Sequence, residues 1–150
     1  MSLNGNKALI QRLHAEGMNR RNPEAAASFY ARDASNHGQR IGREGFVRVF
    51  TNLFTTFPDW HYTIETCVAE AEWVFCRVTF RGTHRGQPTR NDVFGGFLTG
   101  VPPTGKTIEV PHMHAYRVID GEIVEHRAVR DDLHMLRQLG LIEAPVAGGA

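Results

Sequence analysis

The stretch KTIEVPHMHAYRVIDGEIVEHRAVRDDLHMLRQLG, residues 106–140, decides the fold of this chain. Apolar and polar side chains alternate at its start, which predicts a β-strand over residues 106–118. The Asp-Gly pair at 120–121 predicts a tight turn, and residues 122–130 have the pattern of a returning strand. The last ten residues have the spacing of a short helix. This stretch therefore predicts an antiparallel hairpin followed by a helix.

The rest of the chain predicts helices first and strands afterwards. Apolar residues at helical spacing indicate two short helices before Tyr30 and a longer one that ends at Pro58. Residues 60–70 and 72–84 then alternate with a period of two, which predicts a second hairpin. A Gly- and Pro-rich connection, 85–101, separates the two hairpins. Because no strand–helix–strand alternation occurs, we expect an α+β fold with a curved antiparallel sheet against helices on one side.

Length and charge limit the classes of function. The 150 residues fit one domain spanning 1–150, with residues 1–5 and 143–150 as expected mobile termini. Seventeen basic and sixteen acidic residues form no basic stripe, which argues against a nucleic-acid partner. No secretory signal and no apolar run of membrane-spanning length are present, so we expect no membrane association and a cytoplasmic location. Cys67 and Cys76 have no paired spacing, which favours buried thiols in a reducing compartment.

Four side chains share one face of the strand within residues 106–118, because residues two apart point the same way. They are Val110, His112, His114 and Tyr116. His126 on the next strand can approach the two histidines, and three imidazoles suit zinc or iron. Histidines on a strand are more often hydrogen-bonded pocket residues, and no other ligand motif accompanies them, so we favour a site without a metal.

Two adjacent aspartates precede the last helix, and the sequence assigns them different roles. Asp132 is expected to cap the helix N-terminus. Asp131 is in phase with Ile123 and is expected at the strand end, facing the enclosed side. Burial beside apolar walls would raise the pKa of this carboxyl toward the range suited to general acid–base catalysis. Capping, or an ion pair with Arg127 or Arg130, is the alternative role for Asp131.

Several segments of the chain resemble the SnoaL-like polyketide cyclase and ester cyclase family. They are FPDW at 57–60, GTH at 82–84, PPTGKTIEV at 102–110, YRVIDGEIVEH at 116–126 and DDLHMLRQLG at 131–140. The resemblance implies a cone-shaped α+β barrel with a deep pocket between sheet and helices. It also implies a homo-oligomer, dimer or tetramer, and chemistry that needs neither a metal nor another cofactor.

The resemblance also implies roles for individual residues. In these cyclases an aspartate before the last helix is the acid and base in an intramolecular aldol closure of a polyketide ester, and the matching position here is Asp131. A pocket histidine falls at His114 or His112. Asn36 and His37 follow the second helix, where relatives place a polar pocket residue. Relatives often carry Trp at the position of Arg127, which implies a more charged environment for Asp131, and Arg127 is expected among the substrate-binding residues.

Together these expectations describe an enzyme acting on a small apolar carbonyl compound with an acidic α-hydrogen. His114, or its neighbour His112, would donate a hydrogen bond to the developing oxyanion. The expected aromatic walls of the pocket are Trp60, Trp73, Phe75 and Phe97. The alternatives are a hydrolase or isomerase using the same carboxylate, a ligand-binding protein without chemistry, and a metal-dependent enzyme using His112, His114 and His126.

Overall fold

The computed structural model of the protein describes residues 2–89 and 96–143. The helical elements are α1 Leu3–Arg12, a π-helical turn Leu13–Met18, α2 Pro23–Ala27, α3 Gly42–Thr56 and α4 Asp132–Gln138. The strands are β1 Tyr30–Asn36, β2 Gln39–Arg40, β3 His61–Glu70, β4 Trp73–Thr83, β5 Thr107–Ile119 and β6 Glu122–Arg130. The strands form one sheet in the order β2-β1-β6-β5-β4-β3. This arrangement confirms the predicted α+β class.

The helical segment begins earlier than the sequence predicts. Ser2 caps α1 by accepting a hydrogen bond from the Gly5 N–H group at 3.1 Å, so the helix includes most of the segment expected to be a mobile terminus. The segment then widens into the π-helical turn, which packs closely on α2: a Cβ atom on Gly17 would lie 2.5 Å from the Ala26 Cα atom. The expected mobile C-terminus, apart from Glu143, lies outside the described residues.

Both predicted hairpins are confirmed. β3 pairs with β4 and β5 pairs with β6, each antiparallel. The turn between β5 and β6 places Asp120 at φ 49° and Gly121 at φ 80°, the left-handed conformations that a two-residue hairpin turn requires. β4 joins the hairpins by pairing with β5 along its whole length. These four strands make the larger part of the sheet.

The strands β1 and β2 are not in the prediction from sequence. β1 runs parallel to β6 and then turns back through His37 and Gly38, at φ 50° and 81°, into the short β2. The His37 N–H group donates to the His126 carbonyl oxygen at 2.9 Å, which fixes the turn against β6. This pairing brings the end of β1 next to the middle of β6.

The core lies between the helices and one face of the sheet. α1 packs against β3 and β4, and α3 packs against β1 and α2. The inward residues of β4 are the alternating set expected from the sequence, all fully buried: Val74, Cys76, Val78 and Phe80. On β3, Cys67 lies directly opposite Cys76, with 3.0 Å between their Sγ atoms, although the sequence spacing indicated no pairing; both thiols are free.

The C-terminal helix is attached to the sheet by the side-chain amide of Gln138, which pairs with the backbone of β5 as a neighbouring strand would. Gln138 accepts a hydrogen bond from the Glu109 N–H group at 2.8 Å and donates one to the Glu109 carbonyl oxygen at 2.9 Å. Met135 and Leu139 are buried below it. Within the described ranges, none of the helices has the length and apolar character that a membrane span requires.

Candidate active site

A cavity of about 520 Å³ lies between α3 and the inner face of the sheet, including the end of β1. Its apolar walls include Leu13, Ile41, Phe46, Phe50, Leu53 and Trp60. His37, Gln39 and Arg48 line it and are also exposed, so they mark where the cavity opens to solvent. Among the described residues, no aspartate or glutamate lines this cavity. Its ionisable groups are therefore imidazole, guanidinium and phenol groups.

A β-bulge decides which side chains of β6 face the cavity. Between the pairs Val118–Ile123 and Arg117–Glu125, β5 advances by one residue and β6 by two. Because side chains alternate along a strand, one extra residue reverses the phase of everything beyond it. Ile123 therefore faces inward, and so do the even-numbered residues His126, Ala128 and Arg130, which pair with inward-facing residues of β5.

A chain of two hydrogen bonds connects β1, β6 and β5 at the cavity wall. The Asn36 Oδ1 atom lies 2.8 Å from Nδ1 of His126. Nε2 of His126 lies 2.9 Å from Nδ1 of His114, and the two rings stack with centroids 5.2 Å apart. The remaining ring nitrogen of His114, Nε2, is buried and has no hydrogen-bond partner among the described residues. The predicted approach of His126 to His114 is thus confirmed.

Two further buried pairs extend this polar cluster. The Tyr62 hydroxyl lies 3.2 Å from Nδ1 of His112, and the Tyr116 hydroxyl lies 3.1 Å from Nε2 of His14. His14 belongs to the π-helical turn, an irregularity that often accompanies functional sites. Through this pair the N-terminal helical segment contributes to the same cluster.

Burial keeps the histidines of the cluster neutral. Burial lowers the pKa of His14 to about 4. Burial, and then the positive charge of Arg130, lower the pKa of His112 to about 3. For His126 burial again comes first, followed by the neighbouring His37, His14 and Arg130, and its pKa falls to about 3. Burial and the surrounding histidines and Arg130 hold the pKa of His114 well below its usual value. At neutral pH each of these rings therefore carries one proton.

The structure places Asp131 outside the cavity, so the expectation that it faces the enclosed side is wrong. Its side chain is 44% exposed and accepts a hydrogen bond from the His134 N–H group at 3.0 Å, which makes it the N-cap of α4. The cause is the bulge, which reverses the phase of β6 and turns odd-numbered residues outward. The cap is therefore Asp131 and not Asp132, which instead pairs with Arg130 at 3.2 Å.

The other predicted site residues divide into two groups. Asn36, His37, Trp60 and His114 line the cavity, and His112 lies beside it through its contact with Tyr62. Four predicted residues do not line the cavity: Trp73, Phe75, Phe97 and Arg127. Trp73 stacks on the expected wall residue Phe75, which is 45% exposed on the outer face of the sheet. Phe97 is 52% exposed, and Arg127 pairs with Glu125.

The geometry also bears on the metal hypothesis. In the part of the chain that the structure describes, no group of three or more His, Cys, Asp or Glu side chains is arranged to hold a metal ion. Nδ1 of His112 and Nδ1 of His114 face Tyr62 and His126 instead. The three histidines proposed as ligands therefore take part in two separate hydrogen-bonded pairs.

Several residues of the site are not predicted from the sequence. His14, Tyr30 and Tyr62 come from elements whose inner faces were not assigned, and Arg130 was considered only as an ion-pair partner. Tyr116 was placed on the correct face without a role. The period of β5 offered a usable signal, because residues paired with its inward histidines must face inward too.

Comparison with known families decides the classification. The family model of the SnoaL-like polyketide cyclases matches residues 8–139. This chain is a member of that family. It is 30% identical over 105 residues to nogalonic acid methyl ester cyclase of Streptomyces nogalater, covering 69% of this chain and 71% of that protein. It is 28% identical over 139 residues to the aklanonic acid methyl ester cyclase DauD of Streptomyces sp. strain C5, covering 88% and 80%.

Solved structures agree with this family assignment. IdmH from Streptomyces antibioticus has 32% identity and a TM-score of 0.70, with 90% of the SnoaL-like chain and 98% of IdmH covered. TsrD from Streptomyces laurentii has a TM-score of 0.78 at 21% identity, covering 95% and 99%, and supports the fold alone. The resemblance seen in the sequence motifs is thus confirmed. Membership of this family, together with the ester cyclases among the relatives, supports a cyclase-type function.

Proposed function

We propose that this SnoaL-like protein catalyses an intramolecular aldol-type ring closure of a small, largely apolar carbonyl compound, using acid–base chemistry without a cofactor. The observation that carries the proposal is the Nε2 atom of His114, which has no hydrogen-bond partner among the described residues and lies in the wall of a largely apolar cavity of about 520 Å³. A cavity of this size is within the range of small-molecule sites. The relatives' methyl ester substrates suggest a polyketide-like ester as the compound bound.

His114 is the acid–base group that we assign to this reaction. An unpaired buried acceptor costs about 1–3 kcal/mol, and an acidic hydrogen of the substrate would satisfy it. Asp131 is the base that the family resemblance implies, but its capping bond and its exposed side chain hold it away from the cavity. We therefore propose His114 in its place.

Arg130 is the group that we assign to the developing negative charge. It lines the cavity two residues after Ala128, which pairs with His114, so its side chain lies on the same face of the sheet. Its charge is among the causes that lower the pKa of His112, His114 and His126. A cation so close to the histidines is positioned to stabilise an enolate formed beside them. Asp132 supports it through their ion pair.

The proposal is tested by following hydrogen exchange and ring closure separately. The protein is incubated in D₂O with nogalonic or aklanonic acid methyl ester, and mass spectrometry measures the deuterium that the ester takes up at carbon. Ring closure leaves the mass unchanged, so chromatography of the product detects it. We expect both processes to exceed the uncatalysed rate and to be lost in His114→Gln. Tight binding of the esters with neither exchange nor closure would contradict an enzyme and indicate a ligand-binding protein.

We also propose that the protein is a cytoplasmic homo-oligomer assembled through the outer face of the sheet. Val68, Phe75, Met113 and Val129 are 55%, 45%, 51% and 74% exposed there. Exposed apolar patches often mark interfaces. Two free thiols with Sγ atoms 3.0 Å apart fit a reducing compartment. Light scattering of wild type and Val129→Lys tests the assembly: we expect a dimer or tetramer that the variant dissociates, and a wild-type monomer would contradict it.

A further inference from the structure

The hydrogen-bond chain from β1 to β5 determines where the protons of both histidines lie. The Asn36 Oδ1 atom can only accept, so Nδ1 of His126 must carry a hydrogen to bond it at 2.8 Å. A neutral imidazole has one hydrogen, which leaves Nε2 of His126 as an acceptor. Nδ1 of His114, 2.9 Å away, must then donate to it. The hydrogen of neutral His114 is thereby placed on Nδ1, and its Nε2 atom carries a bare lone pair.

We propose that Asn36 and His126 are positioning residues that hold His114 with its hydrogen on Nδ1, so that Nε2 of His114 is a general base toward a carbon flanked by two carbonyl groups. The inference rests on the proposed function and deepens it. It changes two assignments made from the sequence. Asn36 orients a histidine rather than contacting the substrate, and His114 accepts a proton first rather than donating to an oxyanion.

The proton and electron pairs balance within this arrangement. Nε2 of His114 takes the proton from the substrate carbon, the C–H electron pair becomes the enolate, and His114 becomes an imidazolium ion. The enolate carbon then attacks the second carbonyl carbon, whose π electrons move to oxygen. The alkoxide takes the proton back from Nε2, so His114 returns to its starting form. Nδ1 of His114 donates to His126 throughout, and the product is an isomer of the substrate.

The surroundings of His114 indicate the class of substrate. Its side chain is 6% exposed, and burial holds its pKa well below the usual value, so it is a weak base. General-base catalysis follows Brønsted behaviour, so a weaker base needs a more acidic hydrogen to react at the same rate. A hydrogen beside a single carbonyl is too weakly acidic for such a base. A hydrogen between two carbonyl groups is much more acidic, and Arg130 faces the site to stabilise the resulting anion.

Nuclear magnetic resonance of the free protein tests the proton placement without any substrate. In protein labelled with ¹⁵N-histidine, the shifts of the ring nitrogens report which one carries hydrogen. We expect hydrogen on Nδ1 of both His114 and His126 near neutral pH. Hydrogen on Nε2 of His114 would overturn the proposal, because the chain would then run in the opposite direction and His114 would be a donor.

Variants of Asn36 connect the proton placement to the reaction. Asn36→Leu removes the acceptor, and we expect mixed tautomers and a kcat about 10-fold to 100-fold lower with KM nearly unchanged. Asn36→Asp keeps the acceptor and adds a negative charge, so it should keep the tautomers and move the acidic limb of the pH–rate profile to higher pH. Ser35→Ala, on the same strand, is the matched control with unchanged kcat.

The two failures can be told apart. If the wild type shows the expected tautomers but exchanges no substrate hydrogen, the proposed function fails and with it the base role of His114. If exchange occurs but Asn36→Leu alters neither the tautomers nor kcat, the positioning role fails while the function stands. Should Asn36→Leu not fold, an unshifted pH profile in Asn36→Asp overturns the positioning role by itself.

Discussion

Acidification should destabilise this protein steeply, because several buried histidines stay neutral in the folded state at an acidic pH that protonates them in the unfolded chain. His14 is 2% exposed, and its pKa is about 4 in the folded protein against 6.5 for an ordinary histidine. Above about pH 6.5 the ring is neutral in both states, so its contribution to stability is fully present. As the pH falls below 6.5, His14 binds a proton in the unfolded chain but remains neutral in the folded protein. The free energy of unfolding therefore decreases.

The size of the effect follows from the same two values. The interval from 6.5 to about 4 corresponds to about 3 kcal/mol for His14, at about 1.4 kcal/mol per pH unit. Roughly 2 kcal/mol of this is lost between about pH 7.5 and about pH 5. His112, with a pKa of about 3, adds a loss of the same sign over the same range.

Urea unfolding followed by tryptophan fluorescence at a series of pH values measures this loss. In His14→Gln the titrating group is absent, so the free energy of unfolding should fall by about 2 kcal/mol less than in wild type over that range. Thr63→Gln, at an exposed position that does not ionise, should keep the wild-type pH dependence. A wild-type free energy of unfolding that is constant between those pH values would contradict a role for buried histidines, as would an unchanged slope in His14→Gln.

Substitutions at three positions test structural features of the protein by urea unfolding. Asp131→Ala should lose about 1 kcal/mol, because the N-cap is removed, whereas Asp131→Asn should keep nearly full stability; equal losses would contradict the capping role. Gly17→Ala should lose about 1–3 kcal/mol by overpacking, since its Cβ atom would lie 2.5 Å from the Ala26 backbone; unchanged stability would show that the helices separate freely. Gln138→Ala should lose about 1–3 kcal/mol with its two bonds to Glu109, and a neutral result would mean that α4 is held by Leu139 and Met135 alone.

The parts of the fold that sequence predicts well are those controlled by local patterns. Period-two alternation and the Asp-Gly turn at Asp120 were sufficient for both hairpins. The same pattern contained the correct face of Trp73, because inward Val74 requires its neighbour to point outward. Trp73 was nevertheless predicted as a pocket wall because it is aromatic, although the strand alternation places it on the outer face. β1 was missed since its main partner, β6, is distant in sequence and the segment has no clear alternation.

The error at Asp131 has a single physical cause. A strand of regular alternation from Ile123 would place Asp131 inward. The extra residue of the β6 bulge reverses that phase and brings Ala128 and Arg130 inward instead. Bulges depend on pairing with a neighbouring strand and leave no certain mark in one sequence. The histidine face of β5 was predicted correctly, because the strand pairs with β6 in regular register from His112 to Arg117.

The most direct test of the central claim compares two variants on the same carbonyl substrate. The measured quantity is kcat/KM for ring closure by His114→Gln and by Asp131→Asn, each against wild type. The account predicts a loss of at least about 100-fold for His114→Gln, the usual scale of a missing general base. It predicts a change of less than about 3-fold for Asp131→Asn, since asparagine also caps a helix. Loss of activity in Asp131→Asn with activity retained in His114→Gln would contradict the account.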